Sequence, residues 1–282
     1  MKIAIASGKG GSGKTTLSVA LALAAQQPLT LLDCDVEEPN AQLFLNAGIE
    51  KSGDYNVLVP EIIEEQCVAC GKCGEICEFN AIVSFGSTAM VFPELCHSCG
   101  GCKLVCSYAA IREVPRKIGI IEEGQRDHIH FIHGSLEVGV AMSPPLIREV
   151  KRRAALADLQ LIDCPPGTAC PMVSAVQDAD YVILVTEPTP FGLHDLTLTV
   201  DTLRPMQKRF GVVINRAGTG DDRVNAYCAR EEIPILLEIP DSRAVAEAYS
   251  RGENLIDAMP EIEAKLQDLL AALIRTQEGV AS

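Results

Sequence analysis

Short apolar runs separated by longer, helix-length stretches set the rhythm of the chain. "KIAIAS" (2–7) is a strand-length apolar run, "TTLSVALALAAQ" after a glycine-rich break reads as a helix, and "LTLLDCD" (29–35) is a second buried run ending in acids. Strand, helix and strand in this order predict a right-handed crossover and a parallel sheet. The rhythm breaks after Pro60 and resumes near residue 115. There "HIHFIHG" (128–134) reads as a strand, "PLIREVKRRAA" (145–155) as a helix, and "LQLIDCPPG" (159–167) as a strand entering a loop. "YVILVTEP" (181–188), "FGVVINRAG" (210–218) and "PILLEIP" (234–240) are further buried strands. Between Pro260 and Gly279, Leu266, Leu269, Leu270 and Leu273 recur at helical spacing opposite a face of mixed charge. A membrane-surface helix would be more basic, so this is expected to be a packing helix.

The interruption, residues 61–114, is dense in cysteine and repeats itself. "CVACGKCGEICEFNAI" (67–82) aligns with "CHSCGGCKLVCSYAAI" (96–111), matching all four cysteines, Gly71 with Gly100, Ala81 with Ala110 and Ile82 with Ile111. Such a repeat predicts a small pseudo-symmetric unit. The expected organisation is an α/β domain formed by 1–60 and 115–282, with a mostly parallel sheet flanked by helices, enclosing an inserted α+β domain over 61–114.

Composition narrows the setting. Aromatic residues make up 4% and Trp is absent, so the core must rest on Ala, Val, Leu and Ile, as suits a sheet buried between helices. The formal charge of −14 weighs against nucleic acid and anionic membranes as partners. No apolar run reaches the roughly 18 residues of a membrane span, and "MKIAIASGKG" enters a strand at once rather than forming a secretion leader. Eight of the 12 cysteines fall in the two tight clusters, which favours metal ligation in a reducing cytoplasm over disulfides.

Gly8, Lys9, Gly10, Gly11, Ser12, Gly13, Lys14 and Thr15, followed by Thr16, fit G-x-x-x-x-G-K-[ST] between a strand and a helix. Glycines let the backbone N–H groups curl toward phosphate, and the helix N-terminus adds positive potential. Lys14 is placed to neutralise the β and γ oxygens of ATP, and the Thr15 hydroxyl to ligate Mg²⁺.

With Lys9 two residues into the loop, "KGGSGKTT" resembles the deviant phosphate loop of the MinD superfamily, which includes ParA, the nitrogenase iron protein and Mrp-type iron–sulfur carriers. The resemblance implies a P-loop NTPase fold and slow, partner-stimulated ATP hydrolysis. It also implies a nucleotide-dependent dimer, either of two copies or with a related ATPase, in which Lys9 reaches the partner's nucleotide; the alternative is a solvated loop lysine. "DCDVEEPN" (33–40) resembles the first switch of that family, implying that Asp35 positions the attacking water and that Asn40 belongs to the same switch. "LIDCPPGT" (161–168) resembles the second, implying that Asp163 holds Mg²⁺ through water and Gly167 senses the γ-phosphate. Asn215 and Arg216 after one strand, and Pro240 and Asp241 after another, look like the adenine-binding elements, although Pro240 also reads as an ordinary strand-ending proline. Lys9, Lys14, Asp35 and Asp163 are thus the expected catalytic group.

The two C-x2-C-x2-C-x3-C runs resemble bacterial two-cluster ferredoxins, in which each run lends its last cysteine to the other cluster. That implies one [4Fe–4S] cluster on Cys67, Cys70, Cys73 and Cys106 and a second on Cys96, Cys99, Cys102 and Cys77. Glu78 and Ser107 stand where the ferredoxin pattern has proline. The alternative is a pair of four-cysteine zinc sites, which usually space their cysteine pairs more widely. Cys34, Cys164, Cys170 and Cys228 read as small buried hydrophobes, with a redox role open for Cys34 and Cys164 in the two switches. His128, His130 and His133 read as a polar strand, with a metal site as the alternative.

The combined expectation is an MgATP-hydrolysing iron–sulfur protein that couples nucleotide state to electron delivery to an unknown redox or target protein. Two other classes stay open: a cofactor-maturation or carrier ATPase, and a redox-sensing regulatory or positioning ATPase of the ParA/MinD type. No C-x-x-C lies outside the insert, which weighs against carriers whose labile cluster bridges two subunits.

Overall fold

The computed structural model describes residues 1–154 and 157–278. Its strands are β1 (Lys2–Ala6), β2 (Leu29–Asp33), β3 (Gly48–Ile62), β4 (Ile82–Phe85), β5 (Thr88–Val91) and β6 (Ile111–Arg126). They continue with β7 (Ile129–Leu136), β8 (Gln160–Asp163), β9 (Tyr181–Thr186), β10 (Phe210–Ala217) and β11 (Ile235–Pro240). The chain forms two compact units.

The first unit comprises Met1–Ser52, Ile121–Ser135 and Leu146–Ser282. Its sheet follows the order β11-β10-β9-β1-β8-β2-β7-β6-β3, and every pairing from β11 through β7 is parallel. The apolar runs are buried on both faces, as a helix-covered parallel sheet requires. Ile3, Ile5, Leu31, Leu161 and Ile183 form one core with Leu17 and Leu21 of the helix Lys14–Ala24. Leu266, Leu269, Leu270 and Leu273 of the helix Ile262–Glu278 lie in that same core, so this is a packing helix. No described helix is long and apolar enough to cross a membrane.

The sheet order places β1 between β8 and β9, with β2 beyond β8. Asp33 at the end of β2 is in register with Asp163 at the end of β8, which also faces Ile5 of β1. Two strand-end carboxylates therefore stand side by side on one side of the loop that leaves β1, at the carboxyl edge where parallel sheets bind ligands.

The second unit comprises Gly53–Ile120 and Leu136–Pro145. It is broader than the expected insert of 61–114, taking in the adjoining parts of β3 and β6 and also Leu136–Pro145. Val57, Val59 and Ile118 make one small core, and Ile82, Ala89 and Ile111 another, against which Cys67, Cys73, Cys77, Cys102 and Cys106 pack. β4 and β5 form an antiparallel hairpin.

The sequence repeat is also a backbone repeat. Ala69 and Ser98 both have φ 53°, Gly71 and Gly100 have φ 84° and 71°, and Asn80 and Ala109 have φ 53° and 51°. The left-handed region costs a non-glycine residue roughly 1–2 kcal/mol. Such strain persists only where the surroundings enforce it, and it concentrates at ligand-holding loops.

Candidate functional site

The phosphate loop is held from three sides. Gly13 (φ 97°) approaches Asn215 so closely that a side chain would strike its amide. That amide donates from Nδ2 to the Ser12 carbonyl at 2.9 Å. Gly8 lies against the backbone of Asp195, where a side chain would also collide. The Ser7 hydroxyl donates to the Lys9 carbonyl at 2.6 Å, and the Gly167 N–H to the Ser7 carbonyl at 3.0 Å. The expected second-switch glycine is therefore tied to the end of β1.

Beside the loop lies a cavity of about 400 Å³. Gly10, Gly11, Gly13, Lys14, Thr15 and Thr16 line it together with Asp35, Glu38 and Asn40, and with Asn215, Arg216, Pro240 and Asp241. Most of the residues expected to bind triphosphate and base thus share one cavity. Asn40 Oδ1 is buried without a partner, as an atom awaiting a ligand would be. Gly8, Lys9, Ser12, Asp163 and Gly167 do not line this cavity. Tyr249, Val245 and Leu255 add an apolar flank that no motif signalled, and Tyr249 stacks on Phe44 with ring centroids 4.3 Å apart.

Around Lys14 the acids outnumber the cations. Asp163 is fully buried; its Oδ1 accepts the Ser18 hydroxyl at 3.0 Å, while its Oδ2 has no partner. Burial pushes the Asp163 carboxyl up, opposed by Lys14 and by hydrogen bonds from Thr15 and Ser18. Burial and then the Asp163 charge push Asp33 well above the usual carboxylate range. Asp35 rises to about 6, mainly through burial, with Lys14 pulling it down and Asp163, Glu37 and Glu38 adding to the rise. An orphan carboxylate oxygen beside a threonine hydroxyl and an uncompensated acid cluster is a donor set that suits Mg²⁺.

Asp33 was not among the expected site residues. Its Oδ1 accepts the Asp35 N–H at 3.1 Å, and its Oδ2 accepts those of Asn40 and Ala41 at 3.1 and 3.0 Å. A buried carboxylate thereby shapes the whole first switch. Glu187 was also missed; it pairs with Lys9 at 3.1 Å and with Arg216 at 2.9 Å. Cys34 and Cys164 are fully buried, and burial pushes both thiols upward. Burial thus disfavours the reactive thiolate at both.

In the second unit the cysteines divide between two cavities. Cys67, Cys70, Cys73 and Cys106 line one; Cys77, Cys96, Cys99 and Cys102 line the other. Crossed backbone bonds bring each last cysteine to the opposite run. Ile63, ahead of the first run, donates to the Ala110 carbonyl behind the second at 2.8 Å, and Phe92, ahead of the second, donates to the Ala81 carbonyl behind the first at 2.8 Å. The sulfurs of Cys77 and Cys106 accept the Ala81 and Ala110 N–H groups, both at 3.3 Å. Hydrogen bonds to cysteine sulfur of this kind recur in iron–sulfur sites, where they tune the bound group. Among the described residues no three His, Cys, Asp or Glu side chains gather as a single-ion site. The three histidines lie apart: His128 Nε2 is 3.3 Å from the Ala22 carbonyl, His130 Nε2 is 3.9 Å from Glu123 and His133 Nε2 is 3.0 Å from Glu122.

Residues 3–256 match the family described as CobQ/CobB/MinD/ParA nucleotide binding domain. An uncharacterized protein of Methanocaldococcus jannaschii, MJ0578, is 38% identical over 226 residues, covering 77% of this chain and 79% of that protein. Among solved structures, the septum site-determining protein MinD of Pyrococcus horikoshii, complexed with Mg-ADP, superposes with a TM-score of 0.59 at 22% identity. The match covers 100% of this chain and 98% of that one, a likeness of fold. Over 123 residues, 35% of this chain and 39% of the relative, the chain is 29% identical to a cytosolic Fe-S cluster assembly factor Nubp1 homolog of Drosophila pseudoobscura pseudoobscura.

Proposed function

Because the chain belongs to the CobQ/CobB/MinD/ParA nucleotide-binding family, we propose that it binds and hydrolyses MgATP in the cavity beside Lys14, and couples nucleotide state to electron transfer through two [4Fe–4S] clusters. Thr15 and Asp163 would hold Mg²⁺, which supplies positive charge to the β and γ phosphates. Lys14 neutralises the same oxygens, and Asp35 orients the attacking water. Asn215, Arg216, Pro240 and Asp241 form the adenine end. Gly167 reads the γ-phosphate, and Lys9 acts across a dimer of two copies or of this chain with a related ATPase.

The observation that carries the iron–sulfur half of the reading is the crossed division of eight cysteines between two cavities. Cys67, Cys70, Cys73 and Cys106 would hold one cluster, and Cys96, Cys99, Cys102 and Cys77 the other, each group supplying one-electron chemistry. The chain leaves the first switch and runs through β3 into the cysteine unit. Movement of Asp35 and Asn40 on hydrolysis therefore has a covalent route to the clusters. The electron acceptor is a redox or target protein of unassigned identity.

The test is an anaerobic, EPR-monitored redox titration of the holoprotein with and without MgATP. About 59 mV corresponds to a tenfold change in a one-electron equilibrium. A shift of that order supports coupling and, by reciprocity, requires ATP affinity to depend on cluster reduction. Identical potentials sink the coupling. The partial likeness to an iron–sulfur assembly factor favours a second reading, a cluster carrier. Retention of both clusters on incubation with an apo-acceptor counts against it.

A further inference from the structure

Glu187 stands just past β9, at the sheet edge that carries the phosphate loop, and each of its carboxylate oxygens has its own cation. Oε2 accepts from Lys9 Nζ at 3.1 Å, and Oε1 meets Arg216 at 2.9 Å. The Glu187 side chain is 10% exposed, against 34% for Lys9 and 57% for Arg216. Its backbone is pinned. The Thr189 N–H donates to the Glu187 carbonyl at 2.8 Å, and Gly192 crowds that carbonyl so closely that no side chain fits there. The Thr186 hydroxyl fastens the same turn by donating to the Gly192 carbonyl at 2.9 Å. The carboxylate is the fixed point; the Lys9 backbone is tethered through its carbonyl to the Ser7 hydroxyl, and the movable partner is its longer, more exposed side chain.

Separating an ion pair with a buried member is ordinarily unfavourable because one charge is left uncompensated. Here Arg216 keeps the second oxygen neutralised when Lys9 departs. The arrangement holds Lys9 yet makes its release inexpensive, which a purely structural ion pair does not need.

We propose that Glu187 is a positioning residue for Lys9. It holds the loop lysine against its own chain and gives it up when a second copy closes over bound nucleotide, with Arg216 remaining as the counter-ion. The proposal rests on the reading above that Lys9 works across a dimer.

The experiment is anaerobic sedimentation velocity of the holoprotein with Mg²⁺ and a non-hydrolysable ATP analogue, alongside monomer affinity for MgADP. Glu187→Gln frees Lys9 and is expected to tighten the dimer by about 3- to 10-fold. A lesion that merely damaged the fold would weaken it. In a Lys9→Met background, Glu187→Gln should change nothing. Arg216→Ala, read at saturating nucleotide, leaves Glu187 dependent on Lys9 alone and should weaken the dimer, but not in a Glu187→Gln background. The proposal is overturned if Glu187→Gln leaves association unchanged or weaker, or if its effect persists without Lys9. MgADP binding without a nucleotide-dependent dimer in any variant sinks the positioning role but leaves nucleotide binding intact. Absence of MgADP binding sinks both.

Discussion

The carboxylate of Asp33 accepts the backbone N–H of Asp35 at 3.1 Å. A fully buried residue outside the nucleotide cavity thus sets the direction of one that lines it. The same carboxylate fixes Asn40 and Ala41, so it closes the first switch on itself. Asp33→Ala leaves three N–H groups without their acceptor and lets Asp35 drift. Misplacement near 1 Å costs on the order of 100-fold in rate. ATP turnover is expected to fall by roughly that factor while MgADP affinity changes less. Asp33→Asn, which keeps one acceptor oxygen in place, should recover part of the loss. Equal losses in turnover and affinity would remove the positioning role.

Asp35 itself carries a pH-dependent strain. Its carboxyl is raised from 3.8 to about 6, first by burial, with Asp163, Glu37 and Glu38 adding to the rise against Lys14. A raised acid holds its proton longer in the folded chain than in the unfolded one. Its contribution is fully present below about 3.8 and is lost as pH rises through about 6. In nucleotide-free, Mg²⁺-free protein, Asp35→Asn should therefore stabilise at pH 7.5 by on the order of 1–3 kcal/mol, discounted toward the lower figure because the group is partly exposed. The gain should shrink toward pH 5. Anaerobic thermal unfolding at the two pH values checks this, and a gain that does not depend on pH would refute it.

The apolar strands, the glycine loop and the repeated cysteines were legible because each is a local pattern. β1, β2, β8 and β9 are short runs whose centres are mainly apolar, with the polar residues mostly at their ends, as a strand buried on both faces requires. The long strands β3 and β6 were not legible. "GIEKSGDYNVLVPEI" and "IREVPRKIGIIEEGQR" mix charges, glycines and an internal proline; β6 neighbours β7 just after it, but β3 finds its neighbour, β6, only beyond the whole cysteine stretch. Asp33 and Glu187 were missed for the same reason. Their chemistry is defined by Asn40 and Ala41 folding back, and by Lys9 returning from 178 positions away. Sequence spacing carries no trace of either contact.

The left-handed residues of the cysteine loops give a third prediction. Ala69 and Ser98 occupy equivalent places in the two repeats, both at φ 53°. Glycine adopts that conformation without a Cβ clash, although it adds entropy to the unfolded chain. Ala69→Gly and Ser98→Gly should each leave stability unchanged or raise it by up to about 1 kcal/mol. The ordinary effect of glycine in a regular segment is destabilising by a similar amount. Thermal unfolding of the holoprotein distinguishes the two, and a loss of 1 kcal/mol or more at both sites would mean that the strain is not relieved there.

The crossed architecture of the cysteine unit makes a prediction that an uncrossed one cannot share. The bonds Ile63 to Ala110 and Phe92 to Ala81 bring Cys106 to the first run and Cys77 to the second. Cys70→Ser with Cys106→Ser should therefore damage one cluster only, leaving about half of the wild-type iron and sulfide and one unperturbed EPR signal. Cys70→Ser with Cys77→Ser should damage both, although its two substitutions lie closer in sequence. If each run instead held its own cluster, the outcomes would exchange: the 70/77 pair would spare one cluster and the 70/106 pair would spare none. Zinc in place of iron would leave both double variants without an EPR signal. Iron, sulfide and zinc content, measured with EPR on both variants, decides among the three, because the half-loaded variant identifies which cysteines act together.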